Sequence, residues 1–396
     1  MLLRKLLSQF HWLVGISAGV ILALVGITGA LLSFEGAIVD WLNRDSRQVE
    51  APAGQKRLSP PELLARIVAA QPDKRVTALA VFDDPLKAAR VSFASPPRGR
   101  GAESGGGGRG EQRFANLYSG ELLPTSSTGE KFFRDVRGLH RWLMLGELGN
   151  RDVGRQIVGA CTVLLILIAL TGLYLRWPGR HSLRVWLVPN FSLKGRLFLW
   201  NLHSTAGTWV LPIYLLMALT GLQWSYEWYR DGLYAMAGVE RRAEGGPREP
   251  RNAGRDAAAQ SPNIAVAWQA FVQSSAPTGY ANVNINLGGA PAQPIEFRYL
   301  EPNGAHERAY STLTIDADTG AVRKHERYAE KTFGGKLVSS VFPLHSGSFF
   351  GTVGVVLFLI ASLAMPVFAV TGWMMYLQRR RMRAAEPASV MSPANS

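Results

Sequence analysis

The stretch 201–224, NLHSTAGTWVLPIYLLMALTGLQW, carries one histidine and then no Asp, Glu, Lys, Arg or His from Ser204 to Tyr226. A helix needs about 20 apolar residues to cross the hydrocarbon core of a bilayer, so this reads as a membrane span headed by His203. An ionisable side chain is costly there, which makes His203 a functional candidate. Three more uncharged runs, Trp12–Phe34, Ile157–Leu175 and Ser346–Gln378, give four membrane helices in a chain that is 47% hydrophobic and 18% charged. The first run exceeds the apolar core of a cleaved signal and no A-x-A site closes it.

The formal net charge is +14, but the cations are clustered. Arg4 and Lys5 precede the first span, and Arg176, Arg180, Arg184, Lys194 and Arg196 fill the short link between the second and third. Arg379, Arg380, Arg381 and Arg383 follow the fourth. This bias places both termini and the short link on the cytoplasmic side. The basic faces then meet anionic lipid headgroups, and no nucleic-acid partner is expected because no recognisable nucleic-acid module is present. The single cysteine, Cys161, excludes an internal disulfide, a covalent C-x-x-C-H haem attachment and a cysteine-ligated iron–sulfur cluster within the chain.

The chain repeats itself. His11, Gly15, Thr28, Gly29 and Glu35 recur at an offset of 192 as His203, Gly207, Thr220, Gly221 and Glu227. His140, Gly146 and Gly149 recur at an offset of 205 as His345, Gly351 and Gly354. Thr171-Gly172 and Thr371-Gly372 close the second and fourth spans. Two helices per half imply parallel halves related by an axis along the membrane normal.

The outer segments, 36–152 and 228–345, repeat as well. SPPELLARIVAAQP at Ser59 and SPNIAVAWQAFVQ at Ser261 have helical periodicity after a Ser-Pro start. KRVTALAVF and ARVSFAS follow the first; ANVNINL, IEFRYL and STLTIDA follow the second, all with strand-like alternation. LYSGELL and DADTGAVRK read as turns on Gly120 and Gly320, so each segment reads as a small helix-plus-antiparallel-sheet domain. The glycine-rich run 98–112 reads as a flexible linker or loop.

Four paired histidines suit one chemistry. His11 and His203 lie near the cytoplasmic ends of spans one and three; His140 and His345 lie near the outer ends of spans two and four. A haem iron takes one axial ligand above and one below its ring, so two histidines from different helices can hold one haem, and two pairs can hold two. The glycines four residues after His11 and His203 remove a side chain where a macrocycle would press. Zinc fits less well, for no cluster supplies three or four ligands. His181, His306 and His325 read as solvated surface residues. The Thr-Gly pairs read as helix-packing positions, Pro212 and Pro366 as kinks, and Trp224 with Trp177, Trp228 and Trp373 as interfacial anchors. A straight helix from His140 to Arg176 would far exceed the bilayer, so helices two and four either project outward or break near Gly149-Asn150 and Gly351.

The motifs GLHRWLMLGE, LTGLYLRWPGR, LHSTAGTW and PLHSGSFFG resemble those of PepSY-associated transmembrane proteins, a family that includes ferrisiderophore reductases of the ferrioxamine type. The resemblance covers essentially the whole chain. It implies an α-helical, internally duplicated membrane protein with two small periplasmic α+β PepSY-like domains in a bacterial inner membrane. It also implies two non-covalent haem b groups, with the haem irons bound through His11, His203, His140 and His345, and reduction of a ferric siderophore at the periplasmic face. Arg134, Arg137, Arg141 and Trp142, around His140, are candidate substrate contacts, with headgroup or haem-propionate contact as the competing role. No dinucleotide or flavin fingerprint appears, so a cytoplasmic reductase or a membrane quinol must supply the electrons.

The layout on this reading is span one at 1–35, an outer domain at 36–136 and an interfacial segment with span two at 137–177. A cytoplasmic link at 178–196, span three at 197–227 and a second outer domain at 228–340 follow. An interfacial segment with span four at 341–378 and a basic tail at 379–396 complete it. A transporter would need a polar pocket near the midplane, where little beyond threonine and serine occurs. A membrane-anchored peptidase regulator would leave the four histidines unexplained.

Overall fold

The computed structural model describes residues 2–94, 110–177, 181–240, 264–275, 278–287 and 293–385. Most of the glycine-rich run, Arg180, Ser261–Asn263 and the side chain of Arg383 lie outside the described residues. In chain order the elements begin with α1 (Leu2–Leu32), α2 (Glu35–Leu42), α3 (Arg44–Arg47), α4 (Pro60–Ala70), β1 (Val76–Phe82), β2 (Ala89–Phe93) and β3 (Gln112–Ala115). Next come α5 (Glu130–Trp142), α6 (Arg151–Arg176), α7 (Leu183–Leu187), α8 (Gly195–Ser225), α9 (Glu227–Met236) and α10 (Ala265–Ser275). The chain continues with β4 (Asn282–Asn286), β5 (Ile295–Leu300), β6 (Tyr310–Ile315), β7 (Val322–Glu326), α11 (Phe333–Ser346) and α12 (Gly351–Ala385). They form two units, Met1–Glu35, Phe132–Leu233 and Val341–Ser396 in one, Gly36–Lys131 and Tyr234–Ser340 in the other.

The first unit is built on α1, α6, α8 and α12, each long and apolar enough to cross a membrane. Helices satisfy their own backbone groups, which is what a segment in hydrocarbon requires. Helix α1 packs on α12 and α6, and α8 packs on α6 and α12. Their shared core is Val14, Ala18, Leu22, Leu165, Tyr214 and Met365 with their neighbours. Leu13, Val20, Leu167, Leu219, Val353 and Ile360 point away from it and stay exposed, as lipid-facing positions do. Pro212 and Pro366 lie inside α8 and α12, which continue through them.

Both outer helix connections break, which decides between the two arrangements left open by length. After α5, Leu143 and Met144 take φ of 54° and 59° and Gly149 takes 75°, before α6 starts at Arg151. After α11, Gly347 takes φ 82° and Gly351 takes 67°, flanking one 3-10 turn, before α12. The left-handed region suits glycine, whereas Leu143 and Met144 are held there against a steric penalty.

The second unit holds one seven-stranded antiparallel sheet in the order β3-β2-β1-β4-β5-β6-β7. The first outer segment supplies α4 and β1–β3; the second supplies α10 and β4–β7. Strands β1 and β4 pair antiparallel, Leu79 opposite Ile285 and Val81 opposite Val283, all fully or nearly fully buried. The separate sheets inferred from sequence therefore meet edge to edge, removing two open edges that would otherwise need protection. Alternation puts Val283, Ile285, Phe297, Tyr299, Leu313 and Ile315 on one face under α4 and α10. Phe271 of α10 stacks on Phe297 at 4.9 Å and 12° and touches Tyr299 edge-on. Ser59 and Glu62 form a capping box at the start of α4. Strand β3 begins at Gln112, the last residue of the stretch read as linker, and β7 falls within and beyond the second turn motif.

Two histidines depart from the surface role read in sequence. His306 is buried: its Nδ1 accepts from the Arg308 N–H, and its Nε2 lies 3.0 Å from both the Tyr328 and Ser340 hydroxyls. Burial lowers its pKa. His325 is half-buried with Nε2 2.9 Å from the Tyr299 hydroxyl. His181 keeps an exposed position and stacks on Trp186.

Candidate functional site

Each of the four Thr-Gly pairs serves one of the four candidate histidines. His11 of α1 sets Nδ1 3.1 Å from Thr171 Oγ1 of α6, and His203 of α8 sets Nδ1 2.8 Å from Thr371 Oγ1 of α12. His140 of α5 meets Thr28 of α1 at 3.1 Å, and His345 of α11 meets Thr220 of α8 at 3.1 Å. The threonine hydroxyls also bond carbonyls one turn back, Leu24, Leu167, Leu216 and Val367, at 2.6–2.8 Å. A hydroxyl has one hydrogen, so with it given to a carbonyl the oxygen must accept from the imidazole. Nδ1 therefore carries the proton. For His140 and His345 the conclusion is doubly fixed, since Nδ1 also lies 3.0 Å from the Val25 and Met217 carbonyls, which can only accept.

The consequence falls on the other ring nitrogen. With Nδ1 protonated, Nε2 presents its lone pair, the state of a neutral imidazole ligand whose second nitrogen is fixed by a hydrogen bond. Among the described residues, no hydrogen-bond partner occupies Nε2 of His11, His140, His203 or His345.

Three of the four glycines of these pairs make room for the rings, Gly372 having open space beside it. A Cβ on Gly172 would lie 3.0 Å from His11 Cε1; on Gly29 it would lie 3.2 Å from His140 Cε1, and on Gly221 3.2 Å from His345 Cε1. The sequence reading treated Thr-Gly as generic helix packing. The structure gives it a local purpose: a hydroxyl that orients a ring in all four pairs, and at Gly29, Gly172 and Gly221 a gap that admits it.

The two histidine pairs form two layers. From His11 to Thr28 on α1, and from His203 to Thr220 on α8, the helical rise is about 25 Å, close to a bilayer core. Between the layers lies the apolar core described above, with Tyr214 donating to the Ala361 carbonyl at 2.8 Å. In one layer the His140 and His345 ring centres are 6.4 Å apart, with 69° between their planes. Two metal–imidazole bonds of about 2 Å plus ~1 Å from each nitrogen to its ring centre span roughly 6 Å, so one metal ion fits that separation. Trp224 stands 5.2 Å from His345, edge-on, so its ring packs on a histidine of this layer.

In the other layer His11 and His203 line a cavity of about 1010 Å³. A Cβ on Gly15 would meet nothing within 4 Å and one on Gly207 only Phe368, so both glycines face the open space. Arg4, Lys5, Arg176, Arg196, Arg379 and Arg380 also line the cavity, and no Asp or Glu does. Six of the cations read from sequence as meeting lipid headgroups thus also line a cavity. Arg176, placed in the link by sequence, ends α6 buried and bonds Ser204, Thr205 and the Val185 and Trp186 carbonyls.

A haem fits these residues. The donor set is two neutral imidazoles per layer with free lone pairs, the first cavity is wide and largely apolar, and its cations suit two propionates. Among the described residues no group of three or more His, Cys, Asp or Glu could hold a bare metal ion.

The remaining candidates surround His140. Arg134 is exposed and lies 3.9 Å from Asp135; Arg137 pairs with Glu35 at 3.0 Å. Arg141 and Arg151 both stack on Trp142, at 5.3 and 4.2 Å from its ring centre. Arg151 was missed in sequence because the intervening loop hides its proximity.

Four membrane-crossing helices with histidines in two layers, together with one antiparallel sheet, define a helical membrane protein. The chain belongs to the PepSY-associated TM region family, which matches it over residues 8–379. No curated protein matches the chain.

Proposed function

We propose that this protein is a di-haem b oxidoreductase of a bacterial inner membrane that passes electrons outward to reduce a ferric siderophore in the periplasm and release ferrous iron. The observation that carries it is the set of four Thr-oriented histidines, each with Nδ1 protonated and Nε2 uncommitted, in two layers about 25 Å apart. His11 with His203, and His140 with His345, would hold one haem each. When bound, haem iron supplies one-electron redox chemistry.

The chain's own residues do the rest. The threonines hold the ring orientation and raise ligand basicity. The apolar core between the layers excludes water from the interior. The cations around the inner cavity would neutralise the propionate carboxylates, removing the cost of leaving those charges in a membrane. The matched histidine–threonine pairs in both halves support an internally duplicated origin, with both termini cytoplasmic by the distribution of cations. A cytoplasmic reductase or membrane quinol would supply electrons. Reduction weakens the chelate because hard oxygen donors favour the smaller, more charged ferric ion.

Purified protein, reduced with dithionite and freed of excess, is mixed without oxygen with a ferric trihydroxamate and a ferrous-specific chromophore. The reading predicts loss of the reduced haem bands with matching appearance of the ferrous complex. Reduced haem that persists beside intact ferric chelate would contradict it.

A further inference from the structure

Around Trp142 the chain keeps a cluster of cations beside the histidine of the outer layer. Arg141 and Arg151 lie over the Trp142 ring, and neither has a carboxylate partner among the described residues. Two of the nearby acids are paired elsewhere: Glu35 with Arg137 at 3.0 Å and Asp152 with Arg155 at 3.2 Å. Glu147, in the same connection, makes no ion pair with a described residue. Arg141 and Arg151 meet over one indole, with Arg137 one turn before Arg141 on α5 and Arg155 one turn after Arg151 on α6.

Two comparisons within the chain set this cluster apart. At the offset of 205 that relates His140 to His345, Arg137, Arg141, Trp142, Arg151 and Arg155 correspond to Phe342, Ser346, Gly347, Val356 and Ile360. The histidine is matched in both halves; the charges and the indole occur in one. Moreover, the cluster sits at the end of α6 that the cation bias assigns to the outer side, where Arg and Lys are ordinarily depleted. Leu143 and Met144, both left-handed, fold the chain back so that Arg151 reaches the ring beside Arg141. A backbone strained at two non-glycine residues persists only where the surroundings enforce it.

We propose that Arg141 and Arg151, spread on Trp142, form a subsite for carboxylate groups of a net-anionic ferric chelate, one step in sequence from the histidine of the outer layer. Guanidinium pairs carboxylate through two parallel charge-assisted hydrogen bonds, and the indole beneath fixes the planes of both groups. This deepens the proposed function by naming the charge class of the chelate, and it rests on that reading for the outer face meeting ferric complexes. Haem propionates and lipid headgroups offer the same anionic chemistry, so the test separates the three.

The test uses the full chain in nanodiscs of neutral lipid and gallium(III) citrate, a redox-inert ferric mimic, with gallium(III) trihydroxamate as the less anionic control. Binding is read by tryptophan fluorescence and calorimetry, independently of any electron transfer. Gallium citrate binds the wild type more tightly than the trihydroxamate, with affinity falling as salt rises. Arg141→Gln/Arg151→Gln weakens citrate binding at least ten-fold and leaves the trihydroxamate within two-fold. Arg44→Gln, removing an exposed arginine of α3, changes neither.

Equal citrate affinity in the double variant overturns the proposal. So does a double variant that keeps citrate binding but loses haem or shifts its spectrum, which would assign the arginines to propionates. Citrate binding abolished by phosphatidylglycerol in the disc, with unchanged haem, would assign them to headgroups. Absence of haem in the wild type defeats the oxidoreductase reading alone, since the citrate measurement needs none.

Discussion

Thr371 and Thr220 do the same job with different backing, and the difference gives a quantitative prediction. His203 has Thr371 Oγ1 at 2.8 Å as the one hydrogen-bond partner of its Nδ1 among the described residues. His345 has Thr220 Oγ1 at 3.1 Å and also the Met217 carbonyl at 3.0 Å. Valine matches threonine in shape and lacks the acceptor. In Thr371→Val the buried N–H loses its partner, costing about 1–3 kcal/mol, or roughly 5- to 150-fold in retention of a haem on His203. In Thr220→Val the carbonyl remains, so the loss is about 1 kcal/mol or less and under ~5-fold. Haem loss from each variant in detergent is followed spectroscopically by transfer to excess apomyoglobin. Equal losses, a larger effect for Thr220→Val, or none for Thr371→Val would refute the orientation argument.

Other consequences follow from the same contacts. Gly172→Ala places a methyl 3.0 Å from His11 Cε1 and should displace the ring, lowering haem content of the inner layer, whereas Gly372→Ala meets nothing within 4 Å and should leave it intact; haem-to-protein ratios compare them. Phe271→Ala removes a fully buried ring from the sheet unit and should cost about 3–5 kcal/mol in chemical denaturation. Arg323 first, then Thr319, hold the Asp316 carboxyl down to about 2. Its folded pKa is depressed, so its stabilisation is present above the unfolded value near 3.8 and is lost as pH falls toward 2. Asp316→Asn should flatten acid sensitivity in that window, monitored by circular dichroism.

The membrane spans, the four histidines and most strands were legible because their signals are local: uncharged runs, residue spacing, two-residue alternation. The helix breaks were half legible, since length required either a break or a projection and Gly149 and Gly351 marked the places. What holds the histidines was not. Thr171 lies 160 residues from His11, Thr371 168 from His203, Thr28 112 from His140 and Thr220 125 from His345. Thr-Gly in an apolar helix reads as packing until the fold brings an imidazole against it. The β1–β4 pairing was hidden for the same reason, since each strand alone looks like the edge of a complete small sheet. His306 was misread because one histidine among charged neighbours gives no sign of the Tyr328 and Ser340 hydroxyls that the fold turns toward it.

The most direct measurement is the haem content of the purified protein, by oxidised and dithionite-reduced spectra with a pyridine haemochrome assay. It is repeated for His11→Ala, His203→Ala, His140→Ala and His345→Ala. The account predicts about two haem b per wild-type chain, with His11→Ala and His203→Ala disturbing one and His140→Ala and His345→Ala the other. A folded wild-type chain from haem-supplemented cells that carries no haem would contradict it.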